Sequence, residues 1–325
     1  MKVLVIHHDD QDGRMGGYIM CKYYKEQGYE TVVPFEADYN TQFDFPRMVE
    51  SGDKVCIVDF SLNNEAMHNL QQIVDFSDIT WIDHHKSAIE TYTDQKGLDG
   101  IRYIGLSGCE LAYIYSQGYR IKHDDKCVNI NTVGGDMEFT VITSIEIPRA
   151  VKLIGDWDVW RGTPWSREFA FSLRADWPES VLETPEGYTY WENIYNEDEG
   201  LIDGLVMRGY AILKYVYGKG ETDLEEYGFP VKIRKFENIE AIAINSTDRS
   251  SLVFESVKNH YEVGLVFNYT VKDRTTPIMT FSIYRLGKNP DKTIDVSFIA
   301  KAFGGGGHPD ASGFSTSGSL PFTSL

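Results

Sequence analysis

The chain has 325 residues, of which 42% are hydrophobic and 13% aromatic, a length and composition that suit two soluble globular domains better than one. Its formal net charge is −18 at pH 7, from 49 acidic against 31 basic side chains, and such a field argues against a protein that tracks long nucleic acid and for one that takes small anions with the help of cations. No apolar run approaches the roughly eighteen residues of a membrane helix, no signal-peptide pattern opens the sequence, and Cys21, Cys56, Cys109 and Cys127 form no Cys-x-x-Cys pair, so reduced thiols in the cytoplasm are expected.

Residues 3–6 are apolar and mostly β-branched and read as a strand buried on both faces. The strand ends in His7, His8, Asp9, Asp10 and Asp12. Carboxylates so close together repel one another unless cations sit among them. The carboxyl end of a parallel strand also faces the crevice where doubly wound sheets bind ligands. In extended backbone, residues two apart point the same way, which lets His8, Asp10 and Asp12 converge; imidazole with carboxylate is a ligand set for Mn²⁺ or a similar divalent ion. A solvated turn after an edge strand is the bland alternative.

A helix is expected over 13–28, closed by Gly28; its glycine-rich start brings backbone close either to bound ions or to the neighbouring strand. Strands follow at 31–34 and 53–60, the second delivering Asp59. A helix over 64–76, capped by Asn63 or Asn64, precedes a buried strand at 79–82 that ends in Asp83, His84 and His85. Three apolar strands that each carry His or Asp at their ends are hard to explain by core packing.

Residues 101–106 read as a short strand, Ser107 as a helix cap with Glu110 at capping-box spacing, and 147–154 as a short helix leading into Gly155, Asp156, Trp157 and Asp158. The stretch 159–200 loses period and carries Trp160, Trp165, Trp177 and Trp191, which either pack over the domain or form a stacking surface for bases. Arg161, Arg167 and Arg174 are the nearby cations that could meet a phosphate. A helix over 201–217 breaks at Gly218 and Gly220, which puts a domain boundary between about residues 200 and 225. Strands at 231–236, 239–245, 262–269 and 278–284, with helices at 250–261 and 294–303, then make a small mixed domain. It ends in Gly304, Gly305, Gly306, Gly307 and His308; consecutive glycines let several backbone N–H groups approach an anion.

In this order the motifs resemble those of the DHH phosphoesterases. Asp83, His84 and His85 after an apolar strand match the motif that names the family; His8-x-Asp10-x-Asp12 before Gly13, then Asp59, and later Gly155 and Asp156, follow its sequence of motifs. The glycine run with His308, Ser312 and Gly313 resembles the substrate loop of its partner DHHA1 domain. The resemblance implies an α/β protein: a doubly wound, mostly parallel sheet domain at 1–200, a linker helix region at 201–224 and a smaller mixed DHHA1 domain at 225–325, with the active site in the cleft between them. It implies two divalent ions, Mn²⁺ before Co²⁺ or Mg²⁺, with His8 and Asp10 on the first, Asp12, His84 and Asp156 on the second, and Asp59 bridging. Some branches place the first histidine where this chain has Ile6, and His7 stays open beside His8; Asp158 is the next candidate after Asp156. His85 would face the substrate phosphate, with Asp83 orienting an imidazole from behind. Gly304, Gly305, Gly306, Gly307, His308 and either Arg285 or Tyr284 would contact substrate.

The activity implied is hydrolysis of short oligonucleotides or dinucleotides to 5′-mononucleotides, most like the nano-RNase branch. A single-strand exonuclease, a cyclic-dinucleotide phosphodiesterase, a 3′-phosphoadenosine 5′-phosphate phosphatase and a catalytically silent nucleotide- or metal-binding protein are the alternatives. Neither a membrane nor long duplex is an expected partner, and a homodimer is left open.

Overall fold

The computed structural model describes residues 1–91, 97–119, 146–177, 180–196, 199–247, 250–272, 276–288, 294–307, 309–317 and 320–324. The chain divides into two compact units, Met1–Tyr210 and Ala211–Leu325.

The first unit is built on four parallel strands: β1 (Lys2–His8), β2 (Thr31–Ala37), β3 (Lys54–Val58) and β4 (Ile79–Ile82), in the order β2-β1-β3-β4. Their apolar runs have a simple consequence. Side chains alternate across a pleated strand, so Val3, Val5, Cys56, Val58 and Ile82 enter one core while Leu4, Ile6, Val55, Ile57 and Trp81 enter another. A parallel sheet with both faces covered is the arrangement such runs require, and each fully buried aliphatic side chain contributes about 1.5–3 kcal/mol relative to exposure.

The first face is covered by α1 (Gln11–Glu26), through Met15, Tyr18, Ile19 and Met20, and by α5 (Gly108–Ser116), through Cys109, Leu111 and Ala112. The second takes Phe45 from α2 (Phe45–Met48) and Met67 and Leu70 from α3 (Asn64–Gln71). The glycines that open α1 serve the strand: a Cβ on Gly17 would lie 2.7 Å from the His7 ring. Asn63, not Asn64, caps α3, its side chain accepting from the Ala66 amide at 2.8 Å. Ser107 and Glu110 form the expected capping box on α5. The chain turns outward from β1 to β2 and returns to β3 on the other side of β1. The sheet therefore has its switch point at the carboxyl ends of β1 and β3, where open α/β sheets bind ligands.

Several local expectations change. Residues 101–106 form no strand; they run beside β4 through isolated bridges at Asp99 and Arg102. The helix expected over 64–76 stops at Gln71 and a 3₁₀ turn follows at Phe76–Asp78. After α4 (Lys86–Thr91) and α5, α6 covers Arg149–Asp158 and so includes the Gly-Asp-Trp-Asp motif rather than ending before it. The stretch without period contains two helices, α7 (Ser166–Ala175) and α8 (Pro185–Tyr195). Of its tryptophans, Trp191 is buried with Nε1 donating to the Ser180 carbonyl at 2.8 Å, and Trp177 stacks on Arg14 at 3.7 Å, whereas Trp160 and Trp165 are exposed. Finally, α9 (Glu199–Tyr227) runs through Gly218 and Gly220 without a break: intrahelical hydrogen bonding and burial of Leu224 outweigh the roughly 1 kcal/mol that each glycine costs a helix.

The second unit holds a seven-stranded sheet of β5 (Phe229–Ile233), β6 (Phe236–Asn245), β7 (Val263–Lys272), β8 (Thr276–Arg285), β9 (Gly306–Gly307), β10 (Ala311–Thr316) and β11 (Phe322–Ser324), in the order β11-β5-β6-β7-β8-β10-β9. The β6–β7 pair is parallel and the others antiparallel. What reads as one strand over 231–236 is a tight hairpin, with Lys235 at φ 69° between β5 and β6. One face packs on α10 (Val296–Ala302) through Ile299 and Ala300. The stretch expected as a helix over 250–261 is a 3₁₀ segment, Ser251–Val257. Cys21, Cys56 and Cys109 are buried free thiols, and Cys127 lies outside the described residues. Among the described residues no helix is long and apolar enough to cross a membrane.

Candidate metal centre at the switch point of the parallel sheet

His8 closes β1, Asp59 follows β3, and Asp83, His84 and His85 follow β4, so adjacent strand ends deliver every one of these side chains. Asp59 sits at the focus. Its backbone is left-handed, φ 53°, a conformation that costs most L-residues about 1–2 kcal/mol but that Asp and Asn tolerate. Its amide donates to the Ile82 carbonyl at 2.9 Å, which ties it to β4. Gly108 gives it room, since a Cβ there would lie 2.4 Å from that of Asp59. The Asp59 carboxylate is 1% exposed, yet among the described residues neither oxygen has a hydrogen-bond partner. Leaving a buried carboxylate ionised without donors costs several kcal/mol, a cost that a proton or a bound cation removes, and the ligand types around it suit a cation.

The groups around it are themselves ligand types. His84 Nε2 lies 3.1 Å from Asp59 Oδ1, 3.4 Å from Asp158 Oδ2 and 3.8 Å from Asp12 Oδ2. His8 Nδ1 is 2.8 Å from Asp10 Oδ2. Ligand atoms within 4.8 Å of one another fall into the sets His8–Asp10–Asp59, Asp12–His84–Asp158 and Asp59–His84–His85, with Asp59 common to two of them. Imidazoles and carboxylates without thiolates suit Mn²⁺ and similar ions.

Each carboxylate has its own support. Asp12 accepts from the amides of Gly108 at 2.6 Å and Cys109 at 2.9 Å, the positive end of α5. Asp10 caps α1 by accepting from the Gly13 amide at 2.8 Å. Burial works against its charge, but the His8 ring and that amide hold its carboxyl down at about 2. Burial and the neighbouring Asp12 and Asp10 charges push Asp158 up to about 8, and the same causes raise Asp59 well above the carboxylate range. His84 is lowered by burial.

Asp83 is fully buried behind this cluster. Its Oδ1 accepts from the amides of His84 at 2.7 Å and His85 at 3.1 Å and from His85 Nδ1 at 2.8 Å. That fixes the His85 tautomer and turns Nε2 outward. Burial opposes the charge on His85, but Asp83 prevails and lifts its pKa to about 9.

Two sequence alternatives are separated by the fold. The pleat of β1 runs through His8, so His7 points to the α1 side, where it is fully buried with Nε2 3.8 Å from Glu183 Oε1 and Nδ1 donating to the His8 carbonyl at 2.9 Å. Glu36 beside it is already engaged by Arg14 at 2.5 and 3.1 Å. His8, not His7, stands in the cluster. Asp156, the expected ligand, is turned away: Arg161 donates to its Oδ1 and Thr163 Oγ1 to its Oδ2 at 2.5 Å, while Arg161 also reaches Glu110 at 2.6 Å. Because α6 continues to Asp158, two residues add roughly 200° of rotation, and Asp158 takes the inward place. Tyr39 and Phe60, which flank the His8 ring at 5.6 and 6.1 Å, carry no sequence signal that would have pointed to them.

In the second unit, Gly306 and Gly307 pair with Gly313 and Ser312 of β10, so half of the glycine run is sheet edge. Gly304 and Gly305 form the turn before it. Arg285 donates to the Asp310 carboxylate, and Tyr284 lies beside Phe254. His308 lies outside the described residues.

The raised carboxyls predict a pH signature. Asp158 binds a proton more tightly folded than unfolded, so metal-free protein loses stability as pH rises from its ordinary 3.8 towards about 8. A divalent ion cancels that loss. The rise in melting temperature on adding Mn²⁺ should therefore be larger at pH 8 than at pH 5; equal increments would mean that these carboxylates are not the ones bound.

Neither known family profiles nor curated proteins match the sequence. Among solved structures, the DHH domain of a member of a family of ribosomal proteins superposes with a TM-score of 0.57 at 14% identity, covering 96% of this chain and 82% of that one. The exonuclease RecJ bound to manganese gives 0.49 at 14% identity over 97% and 86%. A pGpG-specific phosphodiesterase, PggH from Vibrio cholerae, gives 0.43 at 12% over 97% and 93%. The likeness is one of fold. This chain is an α/β protein with the architecture of DHH-domain proteins, a four-stranded parallel sheet and a separate mixed sheet.

Proposed function

We propose that the protein is a cytoplasmic, divalent-metal-dependent phosphoesterase that hydrolyses short oligonucleotides or dinucleotides to 5′-mononucleotides. The observation that carries this reading is Asp59, a buried carboxylate without a hydrogen-bond donor among the described residues, ringed by His8, Asp10, Asp12, His84 and Asp158. Divalent ions at such a centre neutralise phosphoryl charge and make an activated water available for in-line attack. His8, Asp10 and Asp59 would hold one ion and Asp12, His84 and Asp158 the other, with Asp59 shared. His85, kept protonated by Asp83, presents Nε2–H to a phosphate oxygen. The glycine run at 304–307, His308 and Arg285 are the substrate contacts proposed for the second unit. The net charge of −18 supports a short substrate over a long strand.

The test is a cleavage time course with Mn²⁺ on a dinucleotide, a five-mer, a twenty-mer and a cyclic dinucleotide at equal concentration. Rapid loss of the dinucleotide and five-mer is expected. A preference for the twenty-mer would overturn the short-substrate reading, and no cleavage of any, with metal bound, would leave a binding protein.

A further inference from the structure

Three arginines of the first unit are engaged with acids: Arg161 with Glu110 and Asp156, Arg14 with Glu36, and Arg208 with Asp176. Arg174 differs. It makes no hydrogen bond or ion pair from its side chain among the described residues, and it is solvent-accessible. It lies on the last turn of α7, four residues after Ala170, whose carbonyl accepts from Gln11 Nε2 at 2.7 Å. Gln11 directly follows Asp10, so this end of α7 is tied to the segment that delivers a ligand of the centre. Its guanidinium lies 5.0 Å from the Phe171 ring centroid and 5.7 Å from that of Trp157, and these rings meet edge-on at 6.0 Å. Trp157 in turn precedes Asp158 on α6.

Aromatic faces hold a guanidinium by cation–π attraction without using its N–H donors. Burial lowers the Arg174 pKa, and the Asp10 charge partly offsets it. An accessible guanidinium held against the ring of Trp157, the neighbour of Asp158, and engaged by no acid among the described residues keeps its planar fork for an incoming anion, and that fork matches phosphate geometry.

We infer that Arg174, held by Trp157 and Phe171, receives an oxygen of the substrate phosphate on the Asp10 side of the centre. The inference rests on the phosphoesterase reading, and it assigns the substrate's phosphate a partner in the first unit that no motif marks.

The test uses the full-length, Mn²⁺-loaded protein and its Arg174→Ala and Arg174→Lys variants. Calorimetry measures Mn²⁺ binding and then binding of adenosine 5′-monophosphate, with adenosine as control; steady-state kinetics on a dinucleotide follow. Arg174→Ala should bind Mn²⁺ and adenosine as the parent does but lose roughly 10- to 100-fold in affinity for the monophosphate, with KM for the dinucleotide rising. Arg174→Lys should recover only part, because lysine lacks the fork. Unchanged monophosphate affinity and kinetics in Arg174→Ala, with parental cleavage intact, would overturn the inference and leave the phosphoesterase reading standing. A parent that binds Mn²⁺ but neither binds the monophosphate nor cleaves a phosphoester would overturn both.

Discussion

Replacing Asp59 by Asn should abolish turnover and, in the metal-free protein, raise the melting temperature. Both effects come from one feature: the carboxylate is buried, has no hydrogen-bond donor among the described residues and is surrounded by Asp12, Asp10 and Asp158. Without metal, its ionised form is destabilising at neutral pH, because its folded-state pKa is raised by burial and like charge. Asn keeps the shape, tolerates the left-handed backbone at φ 53° and removes the charge. For a unit of about 200 residues, each kcal/mol recovered should appear as roughly 2–4 °C. Activity should fall by more than the roughly 100-fold typical of losing a group behind a metal ligand, and titration with Mn²⁺ should show fewer bound ions. A variant that keeps near-parental activity in saturating Mn²⁺, or whose metal-free form melts lower, would remove Asp59 from the centre.

The second large effect separates the two aspartates of α6. Asp158→Asn should lose metal affinity and turnover by roughly 100-fold or more, because Asp158 Oδ2 is 3.4 Å from His84 Nε2 within the cluster. Asp156→Asn should instead act on stability. It breaks a pair with Arg161 and leaves that guanidinium with Glu110 and the Gly105 carbonyl alone, a loss of about 1–3 kcal/mol for a largely buried charged hydrogen bond, read as a lower denaturant midpoint with Mn²⁺ binding retained. If Asp156→Asn alone abolished Mn²⁺ binding while Asp158→Asn did not, the assignment would be reversed.

How far the site could be read in advance depends on the range of each interaction. Asp59, Asp83, His84 and His85 were legible because an apolar run fixes a buried strand and the next residue must then emerge at its end. His8 is the better candidate because it stands two before Asp10 in the motif's spacing, but the choice against His7 needs the pleat of β1 to continue through both, which pairing with Glu36 and Ala37 of β2 decides. Asp158 is only the second choice on the resemblance, which puts the family's aspartate directly after Gly155 at Asp156, and the helix is read as 147–154. It continues, and Gly155 is accommodated where a Cβ would lie 2.7 Å from Glu110 and from Ser107 Oγ. Residues 166–195 read as a stretch without period, yet they form two helices whose Phe169, Leu173, Trp191 and Ile194 enter the core on one face of the parallel sheet.

The sequence by itself determined the α/β class, the strands of the parallel sheet and the residue types of the centre, since alternation, burial and strand-end chemistry are all local. Tertiary structure alone decided which aspartate of α6 turns inward, that Arg161 is taken up by Glu110 and Asp156, and that Arg174 is held by two rings with no acid partner among the described residues. Those outcomes depend on the rotation of one helix against another and on the competition of several acids for few cations, and neither can be read from spacing along the chain.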